Sequence, residues 1–393
     1  MKKTDIRKII TTVCCLAIGA VIGIVIGIAL MGVLDTDVSL GEYFFTLAVF
    51  LVTVYIAYFL QTVLHEAGHL IFGLMTGYRF ASFRVGSIIL TRENGKFRFG
   101  RYSLAGTGGQ CLLAPPEEKD GKIPYALYNA GGVIMNVLLG VAGLILYFVL
   151  PEANLFKAWL FAFALVGFLS AMINGIPMQI GLVNNDGYNI LSLGRDAHAQ
   201  RAFWAQLKIN ELMTDGVRLR DMPEELFRMP EDADMSNPIN NAISVFACNR
   251  LVDRHEFEEA KQAIDGVLKN KSVMGIYKNM LVCDLVFCRL VTGETEEAAM
   301  LMSEPQKKFM EMMKNNPSII RTQYAYHLIY AKDSAKSAEY KDYLEGTPAA
   351  GGAAPEAPLS AGGGARCPRW EPAFGAARFA EGGRGRLLGE SGY

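Results

Sequence analysis

Apolar residues are concentrated in four long stretches in the first half of the chain, and polar residues dominate the second half. The four stretches cover residues 9–34, 43–64, 126–150 and 156–178. Each is long enough to cross the roughly 30 Å hydrocarbon core of a bilayer as an α-helix. The first is longer than the apolar part of a secretory signal, so we expect it to remain as an anchor. The pattern predicts a mainly α, polytopic membrane protein with four transmembrane helices.

Basic residues flank the apolar stretches on one side of the membrane. They precede the first stretch and follow the second, whereas the short loop between these two stretches is acidic. The positive-inside rule then places the N-terminus, residues 75–125 and everything after residue 178 in the cytoplasm. We therefore expect a multi-pass protein of a bacterial cell membrane, in which the second and fourth helices end on the same side.

The second apolar stretch ends on His65-Glu66-Ala67-Gly68-His69. Histidines four residues apart lie on one face of a helix, so both imidazoles can bind one Zn²⁺, and the glutamate between them can reach the attacking water. A charged residue costs about 2.5–3.5 kcal/mol at the centre of a membrane helix. A metal would offset that cost. The alternative is an ordinary solvated helix face, because so short a pattern also occurs by chance.

A zinc hydrolase needs a third protein ligand and an open position for water. Asp186 follows the fourth stretch and lies on the expected side of the membrane, after Pro177 breaks the helix. Irregular backbone at membrane depth is tolerated only around a buried or water-lined cavity. We therefore predict that His65, His69 and Asp186 hold one Zn²⁺ per chain. An ordinary Asp-Gly turn is the alternative for Asp186.

These motifs together resemble the site-2 protease family of intramembrane zinc metalloproteases, which are M50-like peptidases. The resemblance covers about residues 43–195 and rests on three motifs: the HExxH of His65–His69, an NxxP…DG pattern in Asn174, Pro177, Asp186 and Gly187, and a glycine-rich helix with an asparagine in Gly131, Gly132 and Asn136. Many members carry a PDZ domain outside the membrane. The turn between the third and fourth stretches is too short for one here.

The resemblance implies an intramembrane zinc endopeptidase that cleaves transmembrane segments of membrane-anchored proteins or residual signal peptides. Glu66 is then the general base that takes a proton from water. Asn136 and Asn174 are expected to hydrogen-bond the oxyanion or the substrate backbone. The expected partners are a transmembrane substrate and the lipid bilayer.

Residues 79–123 are predicted to contain a cytoplasmic β-hairpin. Two segments of strand-like residues flank Asn94-Gly95, a pair typical of a tight hairpin turn. A helical substrate must unwind to be cleaved, and a strand edge offers hydrogen bonds to the extended chain. The family has a membrane-associated hairpin at this place. A purely structural hairpin is the alternative.

The predicted domains are an N-terminal anchor with its external loop (1–42), the catalytic core (43–195), a cytoplasmic helical domain (196–342) and a tail (343–393). The helical domain contains two similar segments, 254–260 and 292–298, which indicate stacked helix pairs loosely like tetratricopeptide repeats. Such a domain can bind a cytoplasmic protein, or it can simply cap the membrane core. The tail is rich in Gly, Ala and Arg, so we expect it to be disordered.

Composition narrows the classes of function. Hydrophobic residues make up 51% of the 393 residues and the net charge is −1, so nucleic-acid binding is not expected. Two alternatives to a protease remain open. One is a non-catalytic membrane scaffold that recruits partners through its helical domain. The other is a metal transporter, which would need more polar residues along its membrane helices.

Overall fold

The computed structural model describes residues 39–93, 95–101, 108–118, 122–151, 155–180, 183–270 and 273–345. The described part is mainly helical and contains a small antiparallel sheet. The first predicted membrane helix (9–34) lies outside the described residues, as does the tail beyond residue 345. The predicted number of four membrane helices therefore stays a prediction.

Three of the described helices are long and apolar enough to cross a membrane, judged by length and composition. They are α1 (Leu40–Met75), α2 (Tyr125–Val149) and α3 (Leu155–Gly175). Each coincides with a predicted apolar stretch, although α1 continues well beyond residue 64 and so contains the whole HExxH motif. The outward faces of these helices carry exposed residues such as Phe45 and Phe148, an apolar surface that suits lipid.

A four-stranded antiparallel sheet follows α1. Its strands are β1 (Arg79–Val85), β2 (Ile88–Glu93), β3 (Lys96–Arg101) and β4 (Gly109–Ala114), in the order β3-β2-β1-β4. Strands β2 and β3 pair around a turn that contains Gly95 at a φ of 78°, while the cytoplasmic location of the predicted hairpin stays a prediction. The prediction missed β1 and β4 as strands. Strand β4 pairs with β1, which is distant in sequence, so no local pattern indicates that pairing. Strand β1 joins β2 through a tight turn at Gly86, a local signal that the sequence did contain.

The described residues divide into two compact units. The first comprises those up to Gly68 and those of Gly132–Asn174, and the second comprises those of His69–Gly131 and those from Gly175 onward. In the first unit Phe50 packs against Ala158 and Ala162. The Trp159 Nε1 also donates a hydrogen bond to the Thr53 carbonyl, at 2.9 Å. These contacts hold α1 and α3 together within the first unit.

The second unit continues after α3 with a two-stranded ribbon and a series of helices. They are β5 (Gln179–Ile180), β6 (Val183–Asn184), α4 (Asp186–Arg195), α5 (Ala197–Thr214), α6 (Pro238–Asp253), α7 (Phe257–Leu268), α8 (Gly275–Thr292), α9 (Thr295–Leu301), α10 (Glu304–Met312), α11 (Pro317–Ala325) and α12 (Ser334–Glu345). Short 3₁₀ turns lie at Leu219–Asp221 and Glu224–Phe227, and a π-helical turn covers Tyr326–Tyr330.

Local sequence explains several ends of these helices. Asp196, Asn237 and Asn316 are N-caps whose side chains accept hydrogen bonds from backbone N–H groups of α5, α6 and α11. Proline follows Asn237 and Asn316 at the first helical position, where its missing N–H costs nothing. Gly293 ends α8 in the left-handed region, at a φ of 91°.

Helices α6 to α11 share one hydrophobic core, in which α8 is the central helix. An ion pair lies in this core: Arg321 of α11 donates to Asp284 of α8, and its guanidinium lies 4.1 Å from the centre of the Phe287 ring. Burial raises the pKa of the Asp284 carboxyl, and the positive charge of Arg321 opposes this rise. This ion pair therefore joins α8 and α11, and the removal of either charge would leave the other charge buried without its partner.

Replacement of Arg321 should destabilise this helical core strongly. In Arg321→Met the Asp284 carboxylate loses its partner while it stays buried, which typically costs about 3–5 kcal/mol. The matched control is Lys307→Met, because the pair of Lys307 with Glu304 is exposed and such pairs contribute about 0–1 kcal/mol. Thermal unfolding of the full chain in detergent measures both. A midpoint for Arg321→Met that equals that of the control would contradict a stabilising role for the buried pair.

Candidate metal centre

The HExxH motif lies within α1, and its three polar side chains are buried. His65, Glu66 and His69 are each less than a tenth exposed. Helix α1 is continuous through this region, so the two imidazoles project from one face, one turn apart. The sequence thus places two nitrogen ligands and a carboxylate in an otherwise apolar helix.

Asp186 is the first residue of α4, and the preceding Asn185 fixes its place. The Asn185 Oδ1 accepts hydrogen bonds from the backbone N–H of Tyr188 at 2.9 Å and of Met178 at 3.0 Å. The Asn185 Nδ2 donates to the carbonyl of Ile176 at 2.6 Å. One side chain therefore caps α4 and ties it to the chain that has just left α3. Sequence analysis gave Asn185 no role, although an asparagine before the first helical residue is a recognisable N-cap.

The structure brings His65, His69 and Asp186 together. One ligand atom from each lies within 4.8 Å of the others, and no other such group of three histidine, cysteine or acidic residues occurs in the described part of the chain. The His69 Nε2 lies 3.4 Å from the Asp186 Oδ2. With metal–ligand bonds of roughly 2.0–2.2 Å, two ligands of a tetrahedral Zn²⁺ lie about 3.3–3.5 Å apart. The 3.4 Å distance within this pair is therefore compatible with a tetrahedral Zn²⁺, as it is with a direct contact between the two side chains.

Hydrogen bonds to the other ring nitrogens make both imidazoles suitable ligands. The His69 Nδ1 lies 2.8 Å from the Tyr128 carbonyl, and the His65 Nδ1 lies 2.6 Å from the Asn136 Oδ1. Oxygen atoms of this kind can only accept, so Nδ1 carries the hydrogen in both rings and each neutral ring keeps a lone pair on Nε2. The Nε2 of a neutral His69 then turns its lone pair toward a carboxylate oxygen, an arrangement that a proton or a metal ion between the two atoms would satisfy. Two imidazoles with one carboxylate suit Zn²⁺.

Two glycines leave room for the ligands. A Cβ at Gly132 would lie 2.4 Å from the His65 Cε1 and 2.5 Å from its Nε2. A Cβ at Gly187 would lie 2.1 Å from the carbonyl oxygen of Gly175, because α4 begins close against the end of α3. Glycine at these two positions is thus a steric requirement of the ligand geometry.

The two asparagines that were predicted to bind substrate lie in different surroundings. Asn136 is fully buried, and its amide contacts His65 and Gln61. The Asn174 Nδ2 donates to the carbonyl of Ser170, one turn earlier in α3. The structure therefore joins Asn136 to a metal ligand, whereas Asn174 bonds within its own helix.

One comparison with known proteins identifies the family of this chain. A family model described as Peptidase M50B-like matches residues 40–237. This match spans half of the chain, so the chain belongs to that family. The M50 peptidases are zinc metalloproteases, and the resemblance to site-2 proteases is thereby confirmed. No curated protein and no solved structure is significantly similar to the chain.

An alanine at position 132 should impair metal binding. In Gly132→Ala the new methyl group overlaps the His65 ring, which must move away from its position. We expect zinc content, measured by mass spectrometry on the purified full chain, to fall about tenfold or more, as for other changes that disturb ligand orientation. Gly41→Ala is the control, since nothing lies within 4 Å of a Cβ at that position of α1. Equal zinc content in the two variants would show that the ring has room to spare.

Proposed function

We propose that this protein is an intramembrane zinc endopeptidase that cleaves transmembrane segments of membrane-anchored proteins or residual signal peptides. One observation supports the proposal above all others. His65, His69 and Asp186 present ligand atoms within 4.8 Å of one another, and the buried Glu66 adjoins His65 in an apolar helix. Membership of the M50B-like family is consistent with this chemistry.

Each polar residue of the site then has a role. His65, His69 and Asp186 would hold Zn²⁺, which supplies Lewis acidity at the scissile carbonyl and at the attacking water. Glu66 accepts a proton from that water and later delivers it to the leaving amine. Asn174 is our candidate for a contact to the substrate backbone. We assign Asn136 to the orientation of His65 instead of the oxyanion, because both hydrogens of its amide already point to Gln61.

The membrane setting follows from the helices that carry these residues. Helices α1 to α3 have the length and composition of membrane spans. Apolar helices around such a site would exclude most of the water. Because the local dielectric constant is then lower, the electrostatic effect of the metal on the substrate is stronger. We infer a multi-pass topology with the helical part (196–342) in the cytoplasm, where it would bind a regulatory protein.

Strand β3 is the best candidate for a substrate-binding edge. Among the described strands only β2 pairs with it, and its Phe97 and Phe99 are 64% and 76% exposed. At the opposite edge of the sheet, the Tyr128 hydroxyl donates to the Cys111 carbonyl of β4, and the Tyr128 carbonyl contacts His69. Three strand spacings, about 14 Å, separate β3 from β4. We therefore propose that β3 holds a flanking part of the substrate and not the scissile bond.

Glu66→Gln should abolish cleavage and retain zinc. The amide has nearly the shape of the carboxylate but cannot accept the proton, so we expect turnover to fall about 10²–10⁴-fold. Glu42→Gln is the control, because Glu42 lies on the same helix and is exposed. The assay follows a transmembrane substrate in vesicles, with zinc content measured in parallel. Full turnover in Glu66→Gln would remove this residue from the reaction. A wild-type chain that cleaves no membrane protein would favour the scaffold.

Photocrosslinking can test β3 as the substrate edge. We expect a photoreactive phenylalanine analogue at Phe99 to capture a transmembrane substrate several-fold better than the same analogue at Tyr343. Tyr343 is also exposed but lies on the last described helix, α12. The Glu66→Gln background prevents loss of the captured substrate by cleavage. Equal yields at the two positions would contradict binding at β3.

A further inference from the structure

Gln61, another polar residue of α1, lies one turn before His65. Gln61 is fully buried, with no exposed surface, although it lies in a helix suited to a membrane. A buried amide without hydrogen bonds costs about 1–3 kcal/mol for each group left unsatisfied. The buried amide of Gln61 therefore needs hydrogen-bond partners, and these belong to particular residues of the same unit.

The hydrogen bonds of Gln61 form a chain that ends at His65. The Gln61 Nε2 donates to the Phe163 carbonyl at 3.1 Å. The Gln61 Oε1 accepts from the Asn136 Nδ2 at 2.8 Å, and the backbone carbonyl of Gln61 accepts from the same nitrogen at 3.1 Å. The Asn136 Oδ1 then accepts from the His65 Nδ1 at 2.6 Å. All four residues belong to the first compact unit.

Backbone carbonyls fix the direction of this chain. A carbonyl oxygen only accepts, so the Gln61 atom that faces Phe163 must be the nitrogen. The Oε1 of Gln61 consequently points to Asn136 and selects the nitrogen of that amide. Only the oxygen of Asn136 remains for His65. The amide orientations therefore follow from the carbonyl partners and from each other.

The two histidines differ in their need for such a chain. His69 is oriented by the Tyr128 carbonyl, which has no donor to offer in any orientation. His65 is oriented by a side-chain amide, which can rotate and present its NH₂ group instead. A rotated Asn136 would make the His65 Nδ1 an acceptor and move the ring hydrogen to Nε2. That nitrogen would then have no lone pair for a metal.

The fold also leaves space for Gln61. A Cβ at Gly167 of α3 would lie 2.6 Å from the Gln61 Nε2 and 3.0 Å from the Asn136 carbonyl. The absence of a side chain at position 167 thus allows the amide to lie between α1 and α3. Any larger residue would push it away from the Phe163 carbonyl.

We propose that Gln61 is a positioning residue of the metal site, which acts by fixing the amide of Asn136 and hence the tautomer of His65. This inference rests on the proposed function, since it concerns how His65 becomes a ligand. Partners that orient a ligand histidine typically change metal affinity 10–100-fold when they are removed. The retained backbone carbonyl of Gln61 still bonds Asn136, so we expect the lower end of that range.

The test compares zinc affinities of full-length variants in detergent by competition with a chelator. Gln61→Met has similar length but cannot form the hydrogen bonds, and it should bind zinc about tenfold more weakly than the wild type. Gln61→Glu keeps an acceptor for the Asn136 Nδ2 and should recover most of the affinity. Thr62→Val is the matched control, because the Thr62 hydroxyl lies in the same turn and donates to the Tyr58 carbonyl within α1.

A double substitution distinguishes positioning from general loss of packing. If Gln61 acts through Asn136, then adding Gln61→Met to Asn136→Ala should cause little further loss of affinity. Nitrogen NMR of histidine-labelled protein gives a second measure, because the chain has five histidines. The metal-free wild type should show His65 with its hydrogen on Nδ1, and Gln61→Met should show a mixture of tautomers. Should Gln61→Met fail to fold, Gly167→Ala displaces the same amide and should weaken zinc binding as well.

The outcomes separate this inference from the proposed function. Wild-type zinc affinity in Gln61→Met, or losses that add in the double variant, would overturn the role of Gln61 and leave the zinc site intact. A wild-type chain that binds no zinc would overturn the proposed function. In that case the NMR spectrum of the metal-free protein still decides whether Gln61 sets the tautomer of His65.

Discussion

The close approach of the His69 Nε2 to the Asp186 carboxylate is the interaction on which the rest of this site depends. The Tyr128 carbonyl accepts a hydrogen bond from the His69 Nδ1, so the Nε2 of a neutral His69 keeps its lone pair 3.4 Å from a carboxylate oxygen. A proton or a metal ion between these two atoms makes the contact attractive. The buried histidine one turn earlier, His65, offers a third ligand for such a metal ion. The surrounding structure holds these three side chains in an apolar environment.

A different structural feature holds each candidate ligand in place. Helix α1 supplies both imidazoles at a fixed spacing, and Gly132 leaves room for one of them. The carboxylate arrives from an irregular segment, where Asn185 caps α4 and binds the chain after α3. Helix geometry, a glycine and an asparagine cap thus support these side chains. Such support is what a metal site needs if its ligands are to stay in place during turnover.

Local sequence patterns predict the residues of the candidate metal site but not the residues that orient them. The apolar stretches and the HExxH spacing are local patterns, and they correctly indicated the three described membrane-type helices. The Asp-Gly pair and Pro177 indicated where a third ligand would come from. Gln61 carried no such signal, because a single glutamine in an apolar run is recognisable only once Asn136 and Phe163 lie beside it. Strand β4 was missed for the same reason, since its pairing with β1 joins segments that are distant in sequence.

X-ray absorption at the zinc edge of the purified protein tests the central claim most directly. We predict about one zinc per chain, with two imidazole nitrogens and oxygen donors at roughly 2.0–2.2 Å. Asp186→Ala should change the oxygen shell and leave the two imidazoles. A protein without zinc, or a spectrum with sulfur at about 2.3 Å, would contradict a site built from His65, His69 and Asp186.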